Sequence, residues 1–253
     1  MRWSAVVSIG ILISLSLPGA VSTASDAKTV IVLIDLSGSA RELLSTYEKY
    51  FDLILTDLDH GDAFTVLKIS SGSLAESEPL VHGTFEPFIP RNRLGNPTDN
   101  PFEVRASKAD ADTRLAAAKT ELRERFLTNF RNSKSTQSTD ILGAIRYAET
   151  LFNQLGRPRR ILVLMSDMIH STKQLDFGKM KFDAKDHQSV IEREQKSFGL
   201  PDLTGVKVHV IAAGGGDTER FMKLRSFWEA YFHACHAKME KGNYASTMLV
   251  FDE

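Results

Sequence analysis

The sequence predicts an α/β fold in which a doubly wound, mostly parallel sheet carries helices on both faces. Two observations predict it. Short apolar, β-branched runs alternate with longer stretches of three- and four-residue apolar spacing, from residue 30 to the C-terminus. Two of the short runs, residues 30–34 (Val-Ile-Val-Leu-Ile) and 161–165 (Ile-Leu-Val-Leu-Met), are apolar at every position, as strands buried on both faces are.

In chain order, residues 30–34 form the first strand and Asp35 ends it. A charge there stands at the rim of the sheet, where open α/β folds bind ligands. Residues 40–58 place Leu43, Leu44, Tyr47, Tyr50, Phe51, Ile54, Leu55 and Leu58 on one stripe, which predicts an amphipathic helix. Gly61-Asp62 is a turn, and residues 63–69 form a second strand ended by Ser70-Ser71-Gly72. Pro87, Pro90, Pro97 and Pro101, mixed with Asn92, Gly95, Asn96 and Asn100, predict a loop. Residues 106–130 predict a long helix with Leu115, Ala118, Leu122, Phe126, Leu127 and Phe130 on one face and mixed charges on the other.

The next helix begins at Thr139 and runs to about Leu155, and residues 161–165 form the third strand. A further helix covers about 186–198, followed by a fourth strand at 206–212 and the Gly214-Gly215-Gly216 turn. Asp217 or Thr218 then caps a helix carrying Phe221, Leu224, Trp228, Tyr231, Phe232 and Cys235, and residues 245–251 form the last edge strand. No break divides residues 28–253, which read as one domain with insertions at about 74–134 and 168–205.

The N-terminus has the three parts of a secretory signal: Arg2, the apolar run 5–17, and small residues through Ala27. The signal covers about residues 1–24, and cleavage after Ser22, Ala24 or Ala27 fits equally. An uncleaved anchor is the alternative, because residues 3–21 nearly suffice to span a bilayer. The expected location is therefore periplasmic or secreted, or outside the cytoplasm on an N-terminal anchor. A formal charge of −1 over 253 residues recruits neither nucleic acid nor an anionic membrane without a local patch. The single cysteine, Cys235, rules out an internal disulfide and lies on an apolar stripe, as an inert buried thiol does.

Asp35, Ser37 and Ser39 set oxygens at a strand end, which favours a hard cation. Asp35-x-Ser37-x-Ser39 resembles the first segment of the metal-ion-dependent adhesion site of von Willebrand factor A domains. Thr139, just before a helix, and Asp167, at the end of residues 161–165, resemble the second and third segments. The resemblance implies a Rossmann-like sheet with one antiparallel edge strand near residues 79–85. It also implies a metal site of Asp35, Ser37, Ser39, Thr139 and Asp167 holding Mg2+, or Mn2+ or Ca2+. Neutral hydroxyls leave much of the cation's charge unbalanced, so a partner's carboxylate can take the open position.

The expected function is therefore an exported, divalent-cation-dependent protein-interaction module without catalytic activity, whose partner presents an acidic residue. Two alternatives stay open. One is a metal-dependent phosphoester hydrolase using Asp35 and Asp167. The other is a structural part of an envelope assembly with a vestigial metal site. His170 reads as a surface-loop residue, and His233-x-x-His236 lacks further ligands for zinc. No Gly-x-Ser-x-Gly elbow, zinc-protease helix or Rossmann fingerprint is present.

Overall fold

The first strand, β1 (Lys28–Asp35), is buried at all eight positions because both of its faces are covered. A computed structural model describes residues 27–38, 43–70, 79–136, 138–211 and 218–245. Its further strands are β2 (Ala63–Ile69), β3 (Val81–Thr84), β4 (Arg159–Met165) and β5 (Val206–Ile211). Its α-helices are α1 (Leu44–Asp57), α2 (Pro101–Asn132), α3 (Ile141–Leu155), α4 (Ala184–Ser197) and α5 (Thr218–Ala234).

The sheet order is β3-β2-β1-β4-β5. β1 pairs in parallel with β2 and with β4, β4 pairs in parallel with β5, and β3 is the antiparallel edge. The chain thus leaves β1 toward one side and later returns to build the other. That reversal puts a crevice at the C-terminal ends of β1 and β4, the position where open sheets bind ligands.

Strand alternation divides the apolar residues between two cores. Val30, Val32 and Ile34 face Tyr47, Phe51, Phe126 and Phe130 from α1 and α2. Ile31 and Leu33 face Ile141, Phe152, Trp228 and Phe232 from α3 and α5. Cys235 belongs to this second core, 1% exposed, and burial pushes its thiol up to about 12.

α2 begins at Pro101, five residues before the start that the sequence predicts. Proline is favoured at the first helical position, where its missing N–H costs nothing, and Asn100 caps the turn by accepting from Phe102 N at 3.0 Å. Removing that cap with Asn100→Ala is expected to lower stability by about 1 kcal/mol, read as a shift in the urea midpoint. Ala118 is exposed rather than on the buried face, where Ala111 takes part instead.

At its C-terminal half α2 is tied to α1. Phe126 stacks on Phe51 at 3.7 Å, and the Arg123 guanidinium grips Asp52 at 2.7 and 2.9 Å. Gly83 of β3 lets the helix come close, since a Cβ there would lie 2.8 Å from Leu122 Cδ1.

α3 begins at Ile141, two residues after the predicted start, because Asp140 is the cap and accepts from Gly143 N at 2.8 Å. A side chain at Gly143 would collide with that carboxylate. The first predicted helix reaches into residues outside those described, as do the glycine turn at 214–216 and most of the last predicted strand. Tyr244 is nonetheless described and bridges in parallel to Val210 beside β5.

Candidate functional site

Asp35 is the last residue of β1 and is fully buried. Its Oδ1 accepts from Ser37 N at 2.8 Å, and its Oδ2 accepts from Ser166 Oγ, just past β4, at 2.9 Å. Burial raises its carboxyl above the usual range, and the charge of nearby Asp167 pushes the same way. Among the described residues no lysine, arginine or histidine forms an ion pair with either carboxylate.

The segment carrying Thr139 crosses the top of the sheet. Thr136 N donates to Leu36 O at 3.3 Å, and Asp140 N donates to Ser70 O at 3.4 Å, past the ends of β1 and β2. Thr139 and Ser171 exchange backbone hydrogen bonds of 2.8 and 2.9 Å, which ties the threonine to the loop after Asp167. Ser37 and Thr139 are both buried. The structure therefore gathers Asp35, Ser37, Thr139 and Asp167 at one edge of the sheet, whereas Ser39 lies outside the described residues.

Asp167 is half-buried, and its Oδ1 accepts from Ile169 N at 2.9 Å. The next residue, Met168, has φ +64°, a left-handed conformation that costs a side-chain-bearing residue about 1 kcal/mol or more. It is held there by a fully buried side chain, by its N–H donating to Ser166 Oγ at 2.9 Å, and by Trp228 Nε1 donating to its carbonyl at 3.0 Å.

Several participants carry no motif. Ser166 orients Asp35, and the neighbouring strand-end aspartate was its only sequence signal. The hydroxyls of Tyr47 and Tyr244 are buried with no hydrogen-bond partner among the described residues. Burial holds both phenols well above their ordinary range. Next in weight are the charges of Asp35 and Asp167 for Tyr47 and of Asp167 for Tyr244. The helical spacing predicts Tyr47 as core and gives no sign of its electrostatic link to the site.

His170 is buried rather than on a surface loop, at 3% exposure. Its Nδ1 accepts from Leu142 N at 3.5 Å and lies 4.0 Å from Asp140 Oδ1, while Phe177 packs on the ring. Burial, with Arg146 next in weight, lowers its pKa to about 4. The unfolded chain then binds more protons than the native one between about pH 6.5 and pH 4, so stability is kept above that window and lost as pH falls through it. Urea unfolding is expected to show a loss of roughly 2–3 kcal/mol from pH 7 to pH 4.5, with a flatter profile for His170→Gln.

The donor set is two carboxylates and several hydroxyls, all hard oxygens, which suits Mg2+ or a similar ion. Two neighbouring carboxylates at the rim, with phenol hydroxyls nearby that have no partner among the described residues, also fit a place where a cation would balance them. Among the described residues, no three His, Cys, Asp or Glu side chains gather to hold a metal, so any site here depends on serine and threonine oxygens.

Fold and rim together define an open, mostly parallel α/β protein whose polar rim lies where the strand order reverses. No family model matches the chain, and no curated protein matches it. Among solved structures it is similar to the pilus adhesin SpaC from Lactobacillus rhamnosus GG in its open conformation, at 11% identity over 85% of this chain with a TM-score of 0.42. It is similar to proximal thread matrix protein 1 from the mussel byssus, at 12% identity over 84% of this chain with a TM-score of 0.42. A third is von Willebrand factor type A from Catenulispora acidiphila, at 10% identity over 83% of this chain with a TM-score of 0.38. The chain spans 28%, 47% and 42% of those three chains, less than half of each.

Proposed function

We propose that the β1–β4 rim holds a hard divalent cation through Asp35, Ser37, Thr139 and Asp167, with Ser39 completing the set. In this reading the chain is an exported, non-catalytic module that captures a carboxylate on a protein partner. The observation that carries the proposal is the pair of aspartates at the reversal point, fixed by hydrogen bonds from Ser37, Ser166 and Ile169 and, among the described residues, without a cationic side chain paired to them. A bound cation would supply the positive charge that offsets this pair and attracts the partner's anionic group.

The chain's own residues do the positioning. Ser37 N and Ser166 Oγ fix the plane of the Asp35 carboxylate, and the Thr139–Ser171 ladder holds the threonine against the loop that bears Asp167. The test is a calorimetric and thermal-melting titration with Mg2+ and Mn2+. At a hundred times the dissociation constant, binding adds about 2.7 kcal/mol, or about 5–10 °C for a domain of this size. No heat and no shift at millimolar cation would overturn the proposal.

A further inference from the structure

The parallel strands give the molecule two unlike poles. The candidate cation rim is at the C-terminal ends of β1 and β4. The opposite pole is where Ala27 enters β1, and α2 reaches well past it. At 1.5 Å per residue the 32 residues of α2 span about 48 Å, against about 26 Å for the eight of β1. The far end of α2 is at the rim, where residue 136 bonds to Leu36. Its middle is level with the lower edge, where Asp112 meets His60 at 3.0 Å and Lys119 Nζ meets Thr56 O at 2.9 Å. Residues 101–111 therefore project roughly 16 Å beyond the sheet.

The loop before α2 folds back along this projecting segment, with Arg91 N donating to Ser107 Oγ at 3.1 Å. Between loop and helix runs a groove of about 930 Å³ whose apolar lining includes Pro87, Phe88, Ala106 and Leu115. On the same arm Leu94, Phe102 and Ile89 are 85%, 83% and 51% exposed. Three large apolar side chains exposed within 14 residues of one protruding element single it out as an interaction surface.

Where the preceding chain joins indicates the partner. Ala27 and Gly61 lie beside Pro87, which lines the groove: a Cβ on Gly61 would lie 3.3 Å from Ala27 Cβ and 3.9 Å from Pro87 Cα. The 26 residues before Ala27 contain the apolar run 5–17, so the most lipid-compatible stretch of the sequence joins the domain beside the arm. The nine residues from 18 to 26 reach about 30 Å at most when extended. Around the exposed tip, residues 89–105 carry Arg91, Arg93 and Arg105 against Asp99 and Glu103. Glu103 is engaged by Thr98 Oγ1 at 2.6 Å.

We propose that the arm formed by the 85–100 loop and the first turns of α2 docks on a lipid bilayer. Leu94, Phe102 and Ile89 enter the interface and the arginines lie at the phosphates. Where the N-terminal segment is kept as an anchor, this contact adds to its hold on the same membrane, since two weak attachments on one body reinforce each other. It orients the domain with the β1–β4 rim facing away from the lipid. The inference rests on the arm and the N-terminal junction and is independent of whether the rim binds a cation.

Hydrogen exchange on the full 253-residue chain tests it. The protein is made in a cell-free reaction that leaves residues 1–26 in place, with and without vesicles of phosphatidylcholine and phosphatidylglycerol. Slower exchange over residues 88–106 with vesicles, lost in the double variant L94S/F102S while the other regions exchange as before, supports the proposal. Both substituted side chains are exposed, and an unchanged circular dichroism spectrum shows that the variant folds. Exchange indifferent to vesicles would overturn it. So would protection that persists in the double variant, or that appears without lipid and grows with protein concentration, which would assign the arm to a second copy of the chain.

Discussion

Trp228→Ala is expected to lower stability by about 3–5 kcal/mol, the largest effect of any single substitution considered. The indole is fully buried, and its ring lies 5.0 Å from that of Phe227, 5.7 Å from Tyr231, 5.8 Å from Phe177 and 6.0 Å from Phe232. Truncation leaves a cavity that these rings can fill only by leaving their rotamers. The substitution also frees the Met168 carbonyl, which Trp228 Nε1 holds at 3.0 Å. With that tether gone, the left-handed backbone at Met168 loses part of what enforces it, and Asp167 is next to it.

Trp228→Phe separates the two effects. It keeps most of the packing and removes the hydrogen bond, at a cost of roughly 1–2 kcal/mol. Its effect on cation binding should then exceed its effect on the urea midpoint. A midpoint in Trp228→Ala within 1 kcal/mol of the parent, by the expected scale of about 3–5, would show that this core repacks freely.

Asp35→Asn should separate stability from binding in the opposite direction. The amide is isosteric with the carboxylate. Its oxygen can accept from Ser37 N, and its NH2 can donate to Ser166 Oγ, which also accepts from Met168 N. The substitution removes a buried charge that both burial and Asp167 disfavour, so the cation-free protein should melt no lower than the parent and can melt higher. If the proposed function holds, the price is affinity for divalent cation, by more than about 100-fold. A variant that melts lower without cation yet keeps the magnesium response would contradict both halves of this reasoning.

The central strands were legible because burial on both faces leaves residues 30–34 and 161–165 without a polar position, and β2 begins and ends at the predicted residues. The start of α2 was not, because four prolines and several asparagines outweighed the cap that Asn100 and Pro101 make. Asp35, Ser37 and Ser39 stand out as oxygens at a strand end, whereas Thr139 and Asp167 stand out by their resemblance to the later segments of the adhesion site. Nothing in their spacing showed that Thr139 would be secured by Ser171, or Asp35 by Ser166, since such partners depend on which loops meet above the sheet. His170 misled for the same reason. It follows a strand end in sequence, but the chain around Phe177 folds over it.

The pairing of β1 has a kinetic consequence. Asp35 and Ser166, which hydrogen-bond between the ends of the adjacent strands β1 and β4, are 131 residues apart. During synthesis, β1 can join β2 early, but its other edge stays open until β4 has emerged. Closing such long-range contacts is slow, and an apolar strand with an open edge invites association with other chains. The interval before residue 165 appears is therefore when a newly made copy most needs a chaperone's cover.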